Sequence, residues 1–251
     1  MRLTKEFMMT KYYLTRMRNI LPIAASLLLA VTGTARAVVI EGFEAGTGTV
    51  SGNAITNTVY GPFLPTELTH QLLLSTASGT STVASLESFL SLPAGTIRNT
   101  GANRNAVNGS AFERTNLTLS VGDVVSFNYV FMTSEGSNPD FAFFSLLNTS
   151  TGLLANYNSF STITNATFLS STPGFSFDTG AYGTFSFTVT TAGIYTLGIG
   201  VANALPNTIT APSGLLVDNL QVNAIPEPST LALAGLGAFG LAAVIRRRRM
   251  A

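Results

Sequence analysis

Apolar side chains that recur at every second position constrain this chain more than any other feature. Val125, Phe127, Tyr129 and Phe131 alternate with Ser126 and Asn128, and Phe185, Phe187 and Val189 alternate with Thr184, Ser186, Thr188 and Thr190. Tyr195, Leu197, Ile199 and Val201 alternate with Thr196, Gly198 and Gly200, and Leu117, Leu119 and Val121 do the same before Gly122-Asp123. A period of two puts one face of a strand against a core and the other against a second layer or water. Further strands are expected near 38–44, 68–75, 141–147 and 215–222, with Thr191-Ala192-Gly193 as a tight link and a short helix within 81–92. Gly, Ser, Thr and Asn fill the connections, and no internal repeat is visible. Many short strands separated by turn signals predict an all-β, antiparallel β-sandwich.

Charge is distributed in blocks. Arg2, Lys5, Lys11, Arg16, Arg18 and Arg36 lie at the N-terminus and Arg246, Arg247, Arg248 and Arg249 at the C-terminus. Between 38 and 224 stand only Arg98, Arg104 and Arg114, against ten carboxylates, a balance of −7. A nucleic-acid groove needs a cationic face, so DNA or RNA binding is excluded on charge. With no Cys and one His, disulfide frameworks, thiolate chemistry and two-His zinc sites are excluded as well.

Two apolar segments bracket the body. Residues 20–31 are an uncharged run preceded by basic residues and followed by Ala35-Arg36-Ala37, the pattern of a signal peptide with cleavage after Ala37. The leader is long enough for translation to begin at Met1, Met9 or Met17. The expected organisation is a signal peptide over 1–37, a sandwich over 38–224 and a sorting tail over 225–251, with signal peptidase as the first partner.

At the other end, Pro226-Glu227-Pro228 precedes Ser229-Thr230, an apolar stretch over 231–245 and four arginines. The prolines hold the backbone extended, and Ser229 or Thr230 then caps a helix that begins at once. A helix over 229–245 rises about 25 Å, close to the ~30 Å hydrocarbon core of a bilayer. Snorkelling of Arg246–Arg249 absorbs the shortfall and sets that end in the cytoplasm, leaving the body outside. Ala234, Ala238 and Ala242 form a small-residue stripe suited to close helix packing.

This order of PEP motif, apolar helix and basic stop resembles the PEP-CTERM sorting signal of exopolysaccharide-producing Gram-negative bacteria. The resemblance implies recognition of Pro226, Glu227 and Pro228 by exosortase, a membrane-embedded cysteine protease, and then release or attachment at the cell surface. A plain anchor that is never cut is the alternative.

The body also resembles bacterial jelly-roll modules of the carbohydrate-binding type. They open with a strand like Gly42-Phe43-Glu44 and close with one like Leu216-Val217-Asp218-Asn219-Leu220. That resemblance implies a structural calcium held by an N-terminal acid and the last-strand Asp. Strand parity leads to the same residue: Leu216, Asp218, Leu220 and Val222 share a face, and a carboxylate among core-facing residues needs a counter-charge or several donors. Calcium suits an all-oxygen set of Asp218 with Glu44 or Glu41, and chelation is then expected to lower the melting temperature. Otherwise Asp218 sits at the sandwich edge, bonded to the N–H groups of a loop.

Candidates for chemistry are few. His70 reads as an ordinary strand residue in Leu68-Thr69-His70-Gln71-Leu72. Glu135 and Asp140 flank a loop, where paired carboxylates hydrolyse glycosides, ligate calcium or simply face water. Tyr157 and Tyr182, with Phe160 and Phe175, lie in Gly/Ser/Asn-rich stretches and are the candidates for stacking on sugar rings. Asn108, Asn116, Asn148 and Asn165 begin triplets of the N-glycosylation pattern, which arise by chance in such a chain. Three functions are therefore weighed. The leading one is a non-enzymatic surface or matrix protein among exopolysaccharide, the second a carbohydrate-binding module, and the third a glycan hydrolase.

Overall fold

The computed structural model describes residues 37–41, 43–44, 48–100, 105–134, 140–147, 150–156, 173–204 and 211–224, together with 235, 237, 238, 240, 245 and 246. The expected signal peptide before Val38 (all but Ala37), the Pro226-Glu227-Pro228 motif, Tyr157, Phe160, Glu135 and most of the 229–251 tail lie outside these residues. No helix among the described residues is long and apolar enough to cross a membrane.

Among the described residues, thirteen strands and two short helices make up the body. In chain order they are β1 (Ala37–Glu41), β2 (Thr49–Ser51), β3 (Asn53–Asn57), β4 (Gln71–Ser75), β5 (Ser81–Thr82), α1 (Val83–Phe89), α2 (Thr96–Asn99), β6 (Ala106–Leu119), β7 (Val124–Thr133), β8 (Phe141–Leu146), β9 (Ser150–Asn156), β10 (Phe177–Asp178), β11 (Gly183–Thr188), β12 (Gly193–Ala204) and β13 (Ser213–Asn223). One sheet runs β10-β7-β13-β4-β3, with β1 on β13 and β11 on β7. The other runs β2-β6-β12-β8-β9, with β5 on β6. Every pairing is antiparallel. The all-β expectation holds, and the expected strands and the helix within 81–92 are all present.

The alternating residues close the space between the sheets. Val125, Phe127 and Phe131 of β7 meet Tyr195, Leu197, Ile199 and Val201 of β12, with Leu215 and Val217 of β13 beside them. Phe127 and Phe144 both meet Phe185, at centroid distances of 4.9 and 4.2 Å with the ring planes tilted by 31° and 45°. Burying rings of this size contributes about 2–3 kcal/mol each, so this aromatic file anchors the sandwich.

Both outer faces are covered too. On the second sheet, Leu86, Leu90 and Ile97 from the helical segment pack over Phe141, Phe143 and Ala202. Thr82 caps α1 by accepting the Ser85 N–H at 3.2 Å. Two glycines of β12 make room for this layer. A Cβ on Gly198 would lie 2.8 Å from Leu90 Cδ2, and one on Gly200 would lie 2.4 Å from Phe143 Cζ. On the first sheet, the connection before β4 folds back so that Phe63 packs on Leu73, Val130, Met132, Leu216 and Phe175. Strands buried on both faces lose the clean alternation of a half-exposed strand. This is why β4 (Gln71–Ser75) is buried at every position.

One sequence expectation needs correction here. Leu216 and Asp218 do not share a face with Leu220 and Val222. The pairing of β13 with β7 shifts register between Asp218 and Gln221, and Asn219 takes φ 54°. A bulge of this kind resets parity. Leu220 therefore points into the inter-sheet core, whereas Leu216 packs under Phe63 on the outer face. Asp218 lies outward with Leu216, buried by the loop that crosses it.

Candidate functional site

Six of the described carboxylates accept backbone N–H groups, whereas Glu113 takes the Thr49 hydroxyl. Asp218, fully buried, receives the Thr66 N–H at 2.5 Å, the Glu67 N–H at 2.9 Å and the Thr66 hydroxyl at 2.9 Å on Oδ2. Its Oδ1 accepts the N–H of Asn219 at 2.7 Å. Glu44 accepts the N–H groups of Thr69 and His70 on Oε1, and the Thr69 hydroxyl and His70 Nδ1 on Oε2, all within 2.6 Å. Together the two acids hold both ends of the 66–70 segment, Asp218 from β13 and Glu44 from the stretch that follows β1.

The pattern continues away from this cluster. Glu87 in α1 takes the N–H of Gly95 and of Ile97, each at 2.9 Å, and so anchors α2. Asp123 closes its own turn through the Ser120 N–H, and Asp178 does so through the Gly180 N–H. Asp140 accepts the Ala204 N–H on Oδ1 and the Thr76 hydroxyl on Oδ2, each at 3.0 Å, while Thr76 Oγ1 accepts the Ser213 N–H. A carboxylate that accepts several N–H groups has its charge compensated without a cation. An acidic body with three arginines is thus electrostatically self-consistent.

These contacts bear on each predicted site. The structure brings Asp218 and Glu44 onto the same loop, but each points at protein donors. For Glu41 only the backbone in β1 is described. Asp218 Oδ2 and both oxygens of Glu44 already receive two or three donors, whose hydrogens occupy directions an ion would take, while Asp218 Oδ1 receives one. Among the described residues no group of three or more His, Asp or Glu is placed to hold a metal. Glu67 is the exception in the cluster. Its Oε2 has no hydrogen-bond partner, and burial, with the charges of Asp218 and Glu44, pushes its carboxyl above the usual range.

Glu44 shifts the other way. Chiefly the Thr69 hydroxyl, and then His70 and the two N–H groups, hold its carboxyl down to about 2 from 4.5. A carboxylate whose folded value is depressed contributes stability that is present above its unfolded value and lost as pH falls through the folded one. Replacing Glu44 with Gln is therefore expected to lower the melting temperature at pH 6, with the gap to the native protein closing between pH 4.5 and about 2. Parallel melting curves across that window check it; a constant gap contradicts it.

His70 is not a mid-strand residue. It immediately precedes β4 and pairs with Glu44. Asp140, one half of the hydrolase candidate pair, is buried and bonded as above, and its companion Glu135 lies outside the described residues. Tyr182 is half-buried. Its hydroxyl donates to Gln71 Oε1 and its ring meets Phe63 edge-on at 6.0 Å, so ring and hydroxyl are both committed to packing over the outer face of the first sheet. Phe175 is buried in the same layer. Of the glycosylation triplets, Asn108 lies inside β6 between two paired strands, and Asn116 is exposed at φ 58°. Asn148 and Asn165 lie outside the described residues.

Residues 224–249 match the family described as the PEP-CTERM protein-sorting motif. A motif of that class implies a secreted, membrane-transiting protein directed to the cell surface and processed by exosortase, a membrane protease; it is a sorting tag, with no catalytic role of its own. Comparison with curated proteins found no match. Solved structures similar to this chain include carbohydrate-binding modules and enzyme domains. The CBM22-1 xylan-binding domain of Paenibacillus barcinonensis Xyn10C is 13% identical, with 78% of this chain and 96% of that one covered and a TM-score of 0.34. A carbohydrate-binding module of the β-sandwich superfamily is 12% identical over 76% of this chain and 62% of its own, with a TM-score of 0.36. The enzymatically active domain of tailspike protein 4 from bacteriophage CBA120 is 12% identical, with a TM-score of 0.34. There 73% of this chain is covered but only 20% of the tailspike chain.

Proposed function

We propose that this chain is a non-enzymatic surface or matrix protein. It is exported by its signal peptide, held in the inner membrane by a helix over 229–245, and cut by exosortase near Pro226–Pro228. The released body then resides among exopolysaccharide. The match of residues 224–249 to the sorting motif is the observation that carries this reading. Two further facts support it. Asp140 is buried and accepts the Ala204 N–H and the Thr76 hydroxyl, an arrangement that suits a structural acid better than one in bond cleavage. The acidic, Lys-free body is also suited to a hydrated glycan layer, where a cationic surface would bind nonspecifically to acidic polymer.

Glu227 between two prolines presents an extended, charged peptide next to the bilayer, the conformation a protease cleft accepts. Replacing Pro226, Glu227 and Pro228 together with Ala is expected to shift the chain from the surface and medium to the inner-membrane fraction, at unchanged total amount. Fractionation followed by immunoblotting checks this. Normal surface display of the triple variant would contradict the assigned motif.

The reading also assigns the acids to loop anchoring in place of a metal. The melting temperature of the 38–224 body is expected to be the same in EDTA as in millimolar calcium. A fall of several degrees on chelation would overturn that assignment and point to Glu67 Oε2, the unpartnered oxygen, as a ligand.

A further inference from the structure

β1 and β13 pair antiparallel, with Ala37 opposite Asn223. The signal-cleavage site and the start of the sorting tail therefore leave the sandwich from one end. Several described segments meet at that end: the turn 120–123, closed by Gly122 N–H to Val189 O at 2.8 Å; the link between β11 and β12; the last residues of β13, where Asn223 pairs with Val124; and the end of β8, where the Leu147 N–H reaches Thr196 O at 3.0 Å. Segments 116–126, 187–196 and 221–224 hold one charged residue, Asp123, which is buried and bonded to Ser120. At the tips of this end stand two bare aliphatics, Val121 at 64% and Ile194 at 70% exposure. Ile194 pairs with Thr118, three positions before Val121.

These segments hold no exposed charge on a body of −7, and they carry two of its exposed aliphatics where both termini leave, a combination that matches a bilayer interface. It adds no repulsion against anionic lipid, and aliphatic tips gain by entering the headgroup boundary. The seven residues 224–230 span at most about 25 Å when extended, so the tail keeps this end within reach of the surface. We infer that, in the tail-anchored precursor, the end formed by turns 120–123 and 190–194 rests on the outer surface of the membrane, with Val121 and Ile194 in the headgroup layer. This deepens the sorting reading and rests on it. The contact would hold the peptide around Pro226–Pro228 beside the bilayer, where a membrane-embedded protease works.

The chain has no cysteine, so single-Cys variants report one site each. Val121→Cys, Ile194→Cys and Ser78→Cys, the last an exposed residue at the opposite end, are labelled with an environment-sensitive fluorophore. Each full-length chain is then placed in phosphatidylethanolamine/phosphatidylglycerol vesicles containing nitroxide lipid. The expected result is quenching at 121 and 194 at least threefold greater than at 78. Hydrogen exchange on the unmodified chain is a second readout, with the amides of 120–123 and 190–194 slowing in vesicles relative to the 38–224 body in solution. Labels at 121 and 194 quenched no more than at 78 on chains that float with the vesicles overturn this inference alone. Chains that fail to float overturn the anchored reading, and this inference falls with it.

Discussion

Replacing Asp218 with Ala is expected to lower the stability of the 38–224 body by about 3 kcal/mol, and its melting temperature by roughly 6–12 °C. The side chain is fully buried, and its loss leaves three N–H groups and a hydroxyl without their acceptor. Hydrogen bonds to an ionised acceptor contribute about 1.5–3 kcal/mol each, and water admitted by the partly exposed loop recovers only some of them. Asp218→Asn is a stringent companion. Every described neighbour of the carboxylate is a donor, so the amide nitrogen must face one, and Asn is expected to recover less than half of the loss. Differential scanning calorimetry of both variants tests this. A melting temperature within 2 °C of the native protein for the Ala variant would mean that the 60–70 loop is not held by this residue.

The second large effect is at Asp140. It stands at the end of the sandwich opposite the two termini and joins the sheets. Ala204 ends β12 in one sheet, while Thr76 follows β4 and relays to Ser213 at the start of β13 in the other. Asp140→Ala is expected to cost about 2–3 kcal/mol, because it orphans the Ala204 N–H and the Thr76 hydroxyl in a site closed to water. Here Asn is expected to be tolerated to within about 1 kcal/mol. Its oxygen can take the Ala204 N–H, and its NH2 can donate to Thr76 Oγ1, since a hydroxyl oxygen has a second lone pair. Urea titrations of the two variants give the comparison. Equal losses for Ala and Asn would show that the charge matters at Asp140 and not the hydrogen-bond count.

The opposite expectations for Asn at these two acids illustrate what the sequence could not disclose. Alternation made β7, β11 and β12 legible, because each keeps a fixed parity from end to end against the inter-sheet core. It failed at β13, where the bulge at Asn219 moved Asp218 to the other face, and nothing in Leu216-Val217-Asp218-Asn219-Leu220 marks that insertion apart from the Asn itself. The first half of β6 (Ala106–Leu119) was also missed. Ala106, Gly109, Ser110 and Ala111 are small residues pressed between the core and the helical layer, and small residues carry little periodic signal.

The partners of the acids were illegible for a more general reason. A backbone N–H belongs to almost every residue, so an acceptor aimed at one leaves no trace in composition or spacing. The reading of Asp218 as bonded to a loop was one of two alternatives open in the sequence, and only the path of residues 60–70 decides between them. Asp140 resembled half of a catalytic pair for the same reason. The tail was legible throughout, because its signal is written in side chains: two prolines, an acid, an apolar run and four arginines.

Sorting through that tail is tested most directly by the intact mass and C-terminal sequence of the protein recovered from the surface or medium of the native cell. The expected result is a chain beginning at Val38 and ending between residues 224 and 230, replaced by a chain ending at Ala251 when the membrane protease is deleted. A chain ending at Ala251 in both strains would contradict sorting and leave a simple anchored protein.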